Sequence, residues 1–341
     1  EKISGQEALI RAGLEPIKLE AKEGLALLNG TQVTAALACL AYLRLANLVR
    51  AADIIGAMST EALLGTPVAF DERIQKAGGL EGQIKVGRNL TKLLQDSQIV
   101  ASHKNCKKIQ DAYSLRCMPQ VHGTVREALS FVHSILEKEI NAATDNPLVF
   151  AEEKQVLSGG NFHGQPLALA CDVLAIASAQ LANISERRLE YLLDPNTSDM
   201  AGFLTEEGGL NSGFMIAQVT AASLVSENKV LCHPASVDSI PTSANKEDFV
   251  SMSTLSARKA LEVVENSEFV LAIELLCACQ GLDFKEPLRP GLAVDWAWKR
   301  FRTHVPHWDS DRVMYPDIQK ARDFIVKGEL VAGVEKIIGE L

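Results

Sequence analysis

Apolar residues recur at helical spacing along most of the chain. After Pro119, the apolar positions Val125, Leu129, Val132 and Leu136 lie close to a 3.6-residue period. Similar patterns elsewhere predict five long helices, at residues 33–58, from Pro119 to about 140, at 166–193, at 214–231 and at 246–280. The first is apolar on nearly all sides, which is typical of a helix in the middle of a bundle.

The fifth predicted helix is the longest, and its ends carry recognisable signals. Asn245 is a suitable N-cap, and Glu247 and Asp248 would then lie in the first turn, where the helix dipole favours negative charge. Gly281 is a suitable C-terminal stop. We therefore expect a rod of about 50 Å.

Alternating strand patterns are scarce. Short extended pieces are predicted only near Leu148–Phe150 and Gln155–Leu157. The sequence therefore predicts an all-α protein built as an elongated bundle of long helices. We divide it into a central bundle with active-site loops at 1–282 and a tail at 283–341, with shorter helices from about Ala293 and Asp317.

Charge and composition exclude several classes of partner. The net charge is −9 and no Lys/Arg stripe is present, so we expect no nucleic acid. The longest apolar run, Ala35 to Leu43, is too short to cross a bilayer, so we expect a cytoplasmic protein with no membrane contact. His103 with Cys106, and Cys232 with His233, have no second matching pair, so we expect no metal.

Four loops hold polar residues that a plain connector does not need. They are residues 28–32 with Asn29, 110–117 with Gln110, Tyr113 and Arg116, 158–165 with Phe162, and 243–248 with Glu247. Each has an ordinary structural explanation as a turn, a helix cap or a surface helix edge.

The second loop is the most suggestive of chemistry. Gln110, Tyr113 and Arg116 are spaced by three, so one helical turn would place them on one face. An Arg there can clamp a carboxylate with two parallel hydrogen bonds, and a Tyr beside a cation is suited to proton transfer.

Taken in order, these loops match one family. The chain resembles the aromatic amino acid ammonia-lyases, most closely the histidine ammonia-lyase branch. The resemblance covers residues 3 to about 338 and is carried by residues 23–32, 110–123, 160–166, 208–218 and 226–252. It implies the aspartase/fumarase-like helical bundle and a homotetramer whose active sites draw residues from several subunits. The signature loop of the fumarases and aspartases themselves is absent, so we do not place the chain among them.

The resemblance also implies an activity: ammonia is eliminated from L-histidine, without oxidation, to give trans-urocanate in histidine catabolism. A methylidene-imidazolone electrophile, formed from an Ala-Ser-Gly tripeptide, activates the amine in this family. By resemblance, Asn29 hydrogen-bonds the electrophile or amine, Tyr113 assists proton transfer and Arg116 holds the carboxylate. The remaining implied roles are a hydrogen bond near the carboxylate from Gln110, packing on the electrophile by Phe162, and contact with the amine or imidazole by Glu247.

The sequence departs from the family pattern in two ways. Ala-Ser-Gly occurs nowhere in it, and we expect an N-terminal segment of the same enzyme to supply the electrophile, so that this chain alone is inactive. Lys246 and Phe249 stand where histidine ammonia-lyases often have Gln and His. Two alternatives follow: a phenylalanine or tyrosine ammonia-lyase or aminomutase of the same family, and a non-catalytic scaffold or assembly subunit.

Overall fold

The computed structural model describes residues 1–106 and 108–341, and its architecture is the predicted helical bundle. The helices are α1 Gly5–Arg11, α2 Glu23–Asn29, α3 Gln32–Ala62, α4 Glu72–Gly78, α5 Glu81–Leu93, α6 Gln98–Ser102, α7 Tyr113–Arg116, α8 Met118–Glu139, α9 Gln165–Leu193, α10 Pro195–Ser198, α11 Met215–Leu231, α12 Ser253–Asp283, α13 Leu292–Arg302, α14 Tyr315–Val326 and α15 Glu329–Ile338. Strands β1 Leu148–Phe150 and β2 Gln155–Leu157 form an antiparallel hairpin in which Leu148 pairs with Leu157. Short 3₁₀ turns occur at Pro67–Phe70, Gly202–Leu204 and Ser243–Asn245.

Helices α3, α9 and α12 run parallel through the centre. Near their beginnings Thr34 and Thr254 share a hydrogen bond of 2.9 Å, and near their ends the Ser59 hydroxyl donates to Glu274 at 2.7 Å. Nearly every position in the second half of α12 is buried within the chain. The apolar character of this helix is therefore explained by the bundle core itself.

Helices α8 and α11 run in the opposite direction to these three. Thr31 at the beginning of α3 lies 3.4 Å from Glu139 at the end of α8, while Asp53 further along α3 meets His122 near the beginning of α8. The α11 helix buries only four residues, namely Ala217, Ala221, Val225 and Asn228. Ile216, Val219 and Val230 on the same helix are more than half exposed. One face of α11 is therefore apolar and uncovered.

Two clusters of charged side chains inside the bundle are paired. Arg188 and Glu274 are both fully buried and lie 2.5 Å apart. Asp53, also fully buried, accepts hydrogen bonds from Asn89 and Arg126 and contacts His122 at 2.8 Å. The Arg126 guanidinium and the His122 hydrogen bond outweigh the burial of Asp53 and lower the pKa of its carboxyl. Such pairing is what allows charge to remain in a low-dielectric interior.

The predicted N-cap and the predicted C-terminal stop of the fifth helix, which is α12, were both wrong. It begins at Ser253, after Met252 in the left-handed conformation (φ 52°), so Asn245 is not its N-cap and Glu247 is outside its first turn. The intervening backbone bonds elsewhere: Thr242 and Glu247 form an isolated antiparallel bridge. Gly281 lies inside the helix, where a Cβ would stand 2.9 Å from the Ala62 Cβ. This glycine permits close packing and does not end the helix.

Two segments of the described residues are long and apolar enough to span a membrane by length and composition. The stretch Gln165–Leu193 has 72% of its most apolar window buried, as expected for the central helix of a bundle. The stretch Glu23–Ala62 has only 28% of its window buried. Leu40 and Leu43 account for part of this exposed apolar surface on α3.

Candidate functional site

Asn29 is the last residue of α2, in a turn fixed by its neighbours. The Thr31 backbone N–H donates to the Thr144 hydroxyl at 3.2 Å. A Cβ on Gly30 would stand 2.6 Å from the Thr144 carbonyl oxygen, so a larger residue would not fit without movement. Asn29 itself is exposed, which leaves its side-chain amide open to a group outside this part of the chain.

Residues 158–164, named here the Phe162 loop, lie against the same segment. The Asn146 side-chain oxygen accepts hydrogen bonds from the Ser158 hydroxyl at 3.1 Å and the Gly159 N–H at 2.7 Å. The Asn161 amide donates to the Ala143 carbonyl at 3.4 Å. The Asn29 turn and the Phe162 loop are therefore held at one end of the bundle, next to the beginning of α9.

Residues 239–252, named here the Glu247 loop, pack on the Phe162 loop. His163 Nε2 lies 3.0 Å from the Phe249 carbonyl oxygen, and the two rings stack with centroids 5.9 Å apart. A Cβ on Gly164 would collide with Ser253 and would lie 3.3 Å from Ser251 Oγ. Glu247 therefore belongs to the same end of the molecule as Asn29 and Phe162.

Glu247 is exposed and held by its own loop. The Thr242 hydroxyl donates to Glu247 Oε2 at 2.7 Å. Hydrogen bonds from the hydroxyls of Thr242 and then Ser243 lower the pKa of this carboxyl. These hydrogen bonds favour the ionised carboxylate, whereas the helix dipole suggested by the sequence plays no part because α12 begins only at Ser253.

Tyr113 and Arg116 form the short helix α7, as their spacing predicted. The Arg116 guanidinium carbon lies 4.5 Å from the centre of the Tyr113 ring, which is a cation–π distance. Arg116 Nε is buried and has no hydrogen-bond partner among the described residues. Tyr113 is 71% exposed and lines a cavity of about 500 Å³ together with residues of α9.

Gln110 does not share a helical face with Tyr113 and Arg116. Ala112 is extended (ψ 155°), so the helix begins only at Tyr113. Gln110 instead lines a separate cavity of about 580 Å³ with Thr66 and His103. Both ring nitrogens of His103 lie within hydrogen-bond distance of backbone carbonyls, and the described residues contain no cluster of metal-ligating side chains.

The six predicted residues therefore form two groups on this chain. Helix α7 is anchored near the end of α9, because Arg188 Nη1 donates to the Ser114 carbonyl at 3.3 Å. The Phe162 loop precedes Gln165, the first residue of α9. From Gln165 to Arg188 the helix rises 23 steps of 1.5 Å, or roughly 35 Å. Gln110, Tyr113 and Arg116 thus lie at one end, and Asn29, Phe162 and Glu247 at the other.

Sequence reasoning missed two contributors to this arrangement. His163 joins the two loops at one end, and Arg188 supports α7 at the other. Their partners lie 86 and 74 positions away along the chain, so no local pattern indicates the contacts. A histidine next to a predicted site residue was the only signal that pointed to the first.

This fold and site define a member of a known family. The family model for aromatic amino acid lyases matches residues 1–303, and the chain belongs to that family. Among curated relatives, the histidine ammonia-lyase of Anaeromyxobacter dehalogenans is 56% identical over 332 residues, covering 97% of this chain and 65% of that protein. The histidine ammonia-lyase of Natranaerobius thermophilus is 52% identical over 342 residues, covering 100% of this chain and 67% of that protein.

Solved structures of related enzymes have a fold similar to that of this chain. The crystal structure of histidine ammonia-lyase from Trypanosoma cruzi has a TM-score of 0.89 and 49% identity, covering 97% of this chain and 62% of that one. Tyrosine aminomutase from Streptomyces globisporus has a TM-score of 0.88 and 36% identity, covering 97% of this chain and 66% of that one. The chain spans about two thirds of the length of the curated relatives it matches.

Proposed function

We propose that this chain is the larger part of an ammonia-lyase that eliminates ammonia from L-histidine to give trans-urocanate. The observation that carries the proposal is the identity of 52–56% to histidine ammonia-lyases across nearly the whole chain. The geometry supports it, because both residue groups contain exposed polar side chains that are available to a ligand, namely those of Asn29, Gln110, Tyr113 and Glu247. We further propose that the protein is cytoplasmic.

Arg116 is proposed to hold the substrate carboxylate. Its guanidinium lies 4.5 Å from the centre of the Tyr113 ring, which restricts its orientation. A guanidinium held in one plane is suited to a carboxylate, because the two groups can form two parallel charge-assisted hydrogen bonds. Tyr113, beside it, is proposed to carry protons to and from the substrate amine. Gln110 is proposed to donate a hydrogen bond near the carboxylate.

Glu247 is proposed to contact the substrate ammonium or imidazole. It is exposed, and hydrogen bonds from the Thr242 and Ser243 hydroxyls lower the pKa of its carboxyl and so favour the anionic form. An anionic side chain at this position favours a substrate with an imidazole N–H over one with a hydrocarbon ring. This preference is the reason for placing histidine ahead of phenylalanine and tyrosine.

The residues present fit the family's methylidene-imidazolone electrophile, which supplies the electron demand that turns the amine into a leaving group. Asn29 has an exposed side-chain amide, which could donate a hydrogen bond to a carbonyl oxygen of the electrophile. Phe162 offers a half-buried ring on the neighbouring loop, and Gly160 beside it leaves open space around the backbone. Since the sequence lacks Ala-Ser-Gly, we propose that an N-terminal segment contributes it.

A complete site would require more than one copy of the chain, since its two residue groups are roughly 35 Å apart along α9. Exposed apolar side chains on α11 and on the first half of α3 provide surfaces for such assembly. An obligate helical interface buries surfaces of this kind. We therefore propose a homo-oligomer, a tetramer by family resemblance, in which one copy's Arg116 group meets another copy's Glu247 group.

Product analysis tests the proposal. The chain, assembled with an N-terminal segment bearing Ala-Ser-Gly, is given L-histidine, L-phenylalanine or L-tyrosine, and the products are separated. Urocanate from histidine alone supports the assignment. Cinnamate, coumarate or a β-amino acid would favour the alternative of a phenylalanine or tyrosine lyase or an aminomutase, which the likeness to tyrosine aminomutase keeps open. Substrate binding without any product would favour the scaffold alternative.

A further inference from the structure

We propose that His163 is a positioning residue: it fixes the Glu247 loop against the Phe162 loop and so sets where the Glu247 carboxylate stands. This inference rests on the proposed function, because it concerns the placement of a proposed substrate contact. It is carried by the joint between the two loops, in which His163 stacks on Phe249 and hydrogen-bonds its carbonyl oxygen.

The contact between the two residues has two parts. The rings are nearly parallel, at 8°, with centroids 5.9 Å apart. His163 Nε2 is 3.0 Å from the Phe249 carbonyl oxygen. A backbone carbonyl only accepts, so Nε2 must carry the hydrogen and donate it. The imidazole therefore contacts both the side chain and the backbone of Phe249, which is two positions after Glu247.

The Glu247 loop needs such an external support. Ser243, Ala244 and Asn245 all have positive φ, at 50°, 54° and 63°. Three consecutive residues with side chains in the left-handed region are strained, because each Cβ lies too close to the following carbonyl oxygen. Strained backbone of this kind persists only where surrounding contacts impose it.

Among the described residues, the other hydrogen bonds and close contacts to the bundle lie before the loop or at its C-terminal end. Before it, the Ser236 N–H donates to buried Asp172 at 2.7 Å, and the Ser236 carbonyl accepts from Gln165. After it, Ser253 packs against Gly164 at the start of α12. Within it, the Val250 N–H donates to Ser239, which closes the loop on itself without tying it to the bundle. The contact to His163 is thus the tie nearest to Glu247.

His163 is next to Phe162 in sequence, so the same residue links two parts of the proposed site. A shift of the His163 ring would change the distance between the Phe162 ring and the Glu247 carboxylate. Misplacement of a substrate contact by about 1 Å can reduce a rate by up to 100-fold. Because residue 249 is Phe, the stacked partner of His163 is a purely apolar ring.

A double-mutant cycle tests the proposal in the complete enzyme, meaning this chain with its N-terminal segment. We expect His163→Ala to reduce kcat/KM for histidine roughly 10- to 100-fold. In a Glu247→Gln background the same substitution is expected to change kcat/KM less than about three-fold, because the group that it positions is already impaired. A loss of equal size in both backgrounds, or no loss in either, would overturn the positioning role.

Two further variants separate positioning from simple loss of folding. His133 lies within α8 and stacks on Tyr42 with centroids 5.7 Å apart, outside both loops, so His133→Ala is the matched control and is expected to leave kcat/KM unchanged. His163→Phe keeps an aromatic ring on Phe249 and loses only the hydrogen bond. It is expected to retain an intermediate kcat/KM, and it replaces the alanine variant in the cycle if that variant does not fold.

Hydrogen exchange makes the test independent of the assigned reaction. Amides at 242–250 are expected to exchange faster in His163→Ala than in the parent or in His133→Ala. If the parent forms no urocanate from histidine, the proposed function fails while this readout still decides the loop joint. Unchanged exchange at 242–250 would overturn the inference even in an active enzyme.

Discussion

Arg188 of α9 and Glu274 of α12 form a bidentate ion pair, and both side chains are fully buried. Arg188 Nε lies 2.5 Å from one carboxylate oxygen and Nη2 lies 2.9 Å from the other. The hydroxyls of Ser59 and Ser185 donate to the same carboxylate. The pair joins the three parallel helices at one level, and its Arg also supports α7 through the Ser114 carbonyl.

Removing one partner of this pair is expected to be costly. Arg188→Met would leave the Glu274 charge buried with only hydroxyl donors, at a cost of about 3–5 kcal/mol in the free energy of unfolding. The double variant Arg188→Met/Glu274→Leu is expected to recover most of that loss. Denaturant midpoints measure both, with Arg88→Met as control, since its pair with Glu72 is half exposed on both sides and is worth under about 1 kcal/mol. A cost for Arg188→Met no larger than that of the control would contradict the burial of the pair.

The buried carboxyl of Glu61 is expected to make the free energy of unfolding depend on pH. It is fully buried, accepts the Gly291 N–H at 2.9 Å, and has a second oxygen without a partner in the described residues. Burial raises the pKa of Glu61 from 4.5 to about 7. The folded state therefore binds the proton more tightly than the unfolded state, and stability from this group is lost as the pH rises from about 4.5 through 7.

The substitution Glu61→Gln isolates this effect. The amide cannot ionise, so the variant is expected to be more stable than the parent at about pH 8 by up to about 3 kcal/mol. The difference is expected to shrink as the pH falls towards about 5, because the parent then becomes protonated. Thermal or denaturant unfolding at the two pH values measures it. A difference of the same size at both would show that titration of Glu61 is not its source.

Close packing of α5 on α8 depends on glycine at position 123. A Cβ there would stand 2.5 Å from the Gln83 nitrogen and 2.6 Å from its Cα, and backbone atoms cannot move aside individually. Gly123→Ala is therefore expected to destabilise the fold by about 1–3 kcal/mol. Gly5→Ala in α1 is the control, because a Cβ added there would meet nothing within 4 Å. Equal unfolding midpoints for the two variants would argue against the observed helix spacing.

Arg116→Lys distinguishes a carboxylate clamp from a general positive charge. Lysine keeps the charge but loses the planar donor pair and the stacking on Tyr113. We expect KM for histidine to rise at least about ten-fold. Steady-state kinetics of the assembled enzyme measures it, with Arg73→Lys, which pairs with Asp71 and is largely exposed, as the control. An unchanged KM for Arg116→Lys would remove Arg116 from the carboxylate site.

The five long helices could be predicted from sequence because each follows from local periodicity, whereas α5 at Glu81–Leu93 was not predicted. The two strands lie at the predicted positions, and α9 begins one residue before the predicted Pro166. The beginning of α12 was missed by seven residues, because Phe249 and Val250 bond to His163 and Ser239, which are distant in sequence. The division of the chain at residue 283 stays a prediction.

The identity of the site residues stays a prediction, and their layout in the fold was not predicted from the sequence. Asn29, Arg116 and Glu247 were proposed from the family resemblance. Their spacing along the chain does not reveal that Arg116 lies at one end of α9 and the other two residues at the opposite end. Gln110 was misplaced because an extended Ala112 interrupts the helix that its spacing suggested. These features depend on tertiary contacts, which local sequence patterns do not encode.

Subunit complementation tests the central claim, that a histidine-lyase site combines the Arg116 group of one copy with the Glu247 group of another. Arg116→Ala and Glu247→Gln enzymes are each purified, unfolded or dissociated, mixed in equal amounts and reassembled, and urocanate is followed by its ultraviolet absorbance. Random mixing is expected to restore about a quarter of the parent activity, because a site needs the intact group from each of two copies. A mixture no more active than the two variants measured separately, although properly assembled, would contradict a shared site.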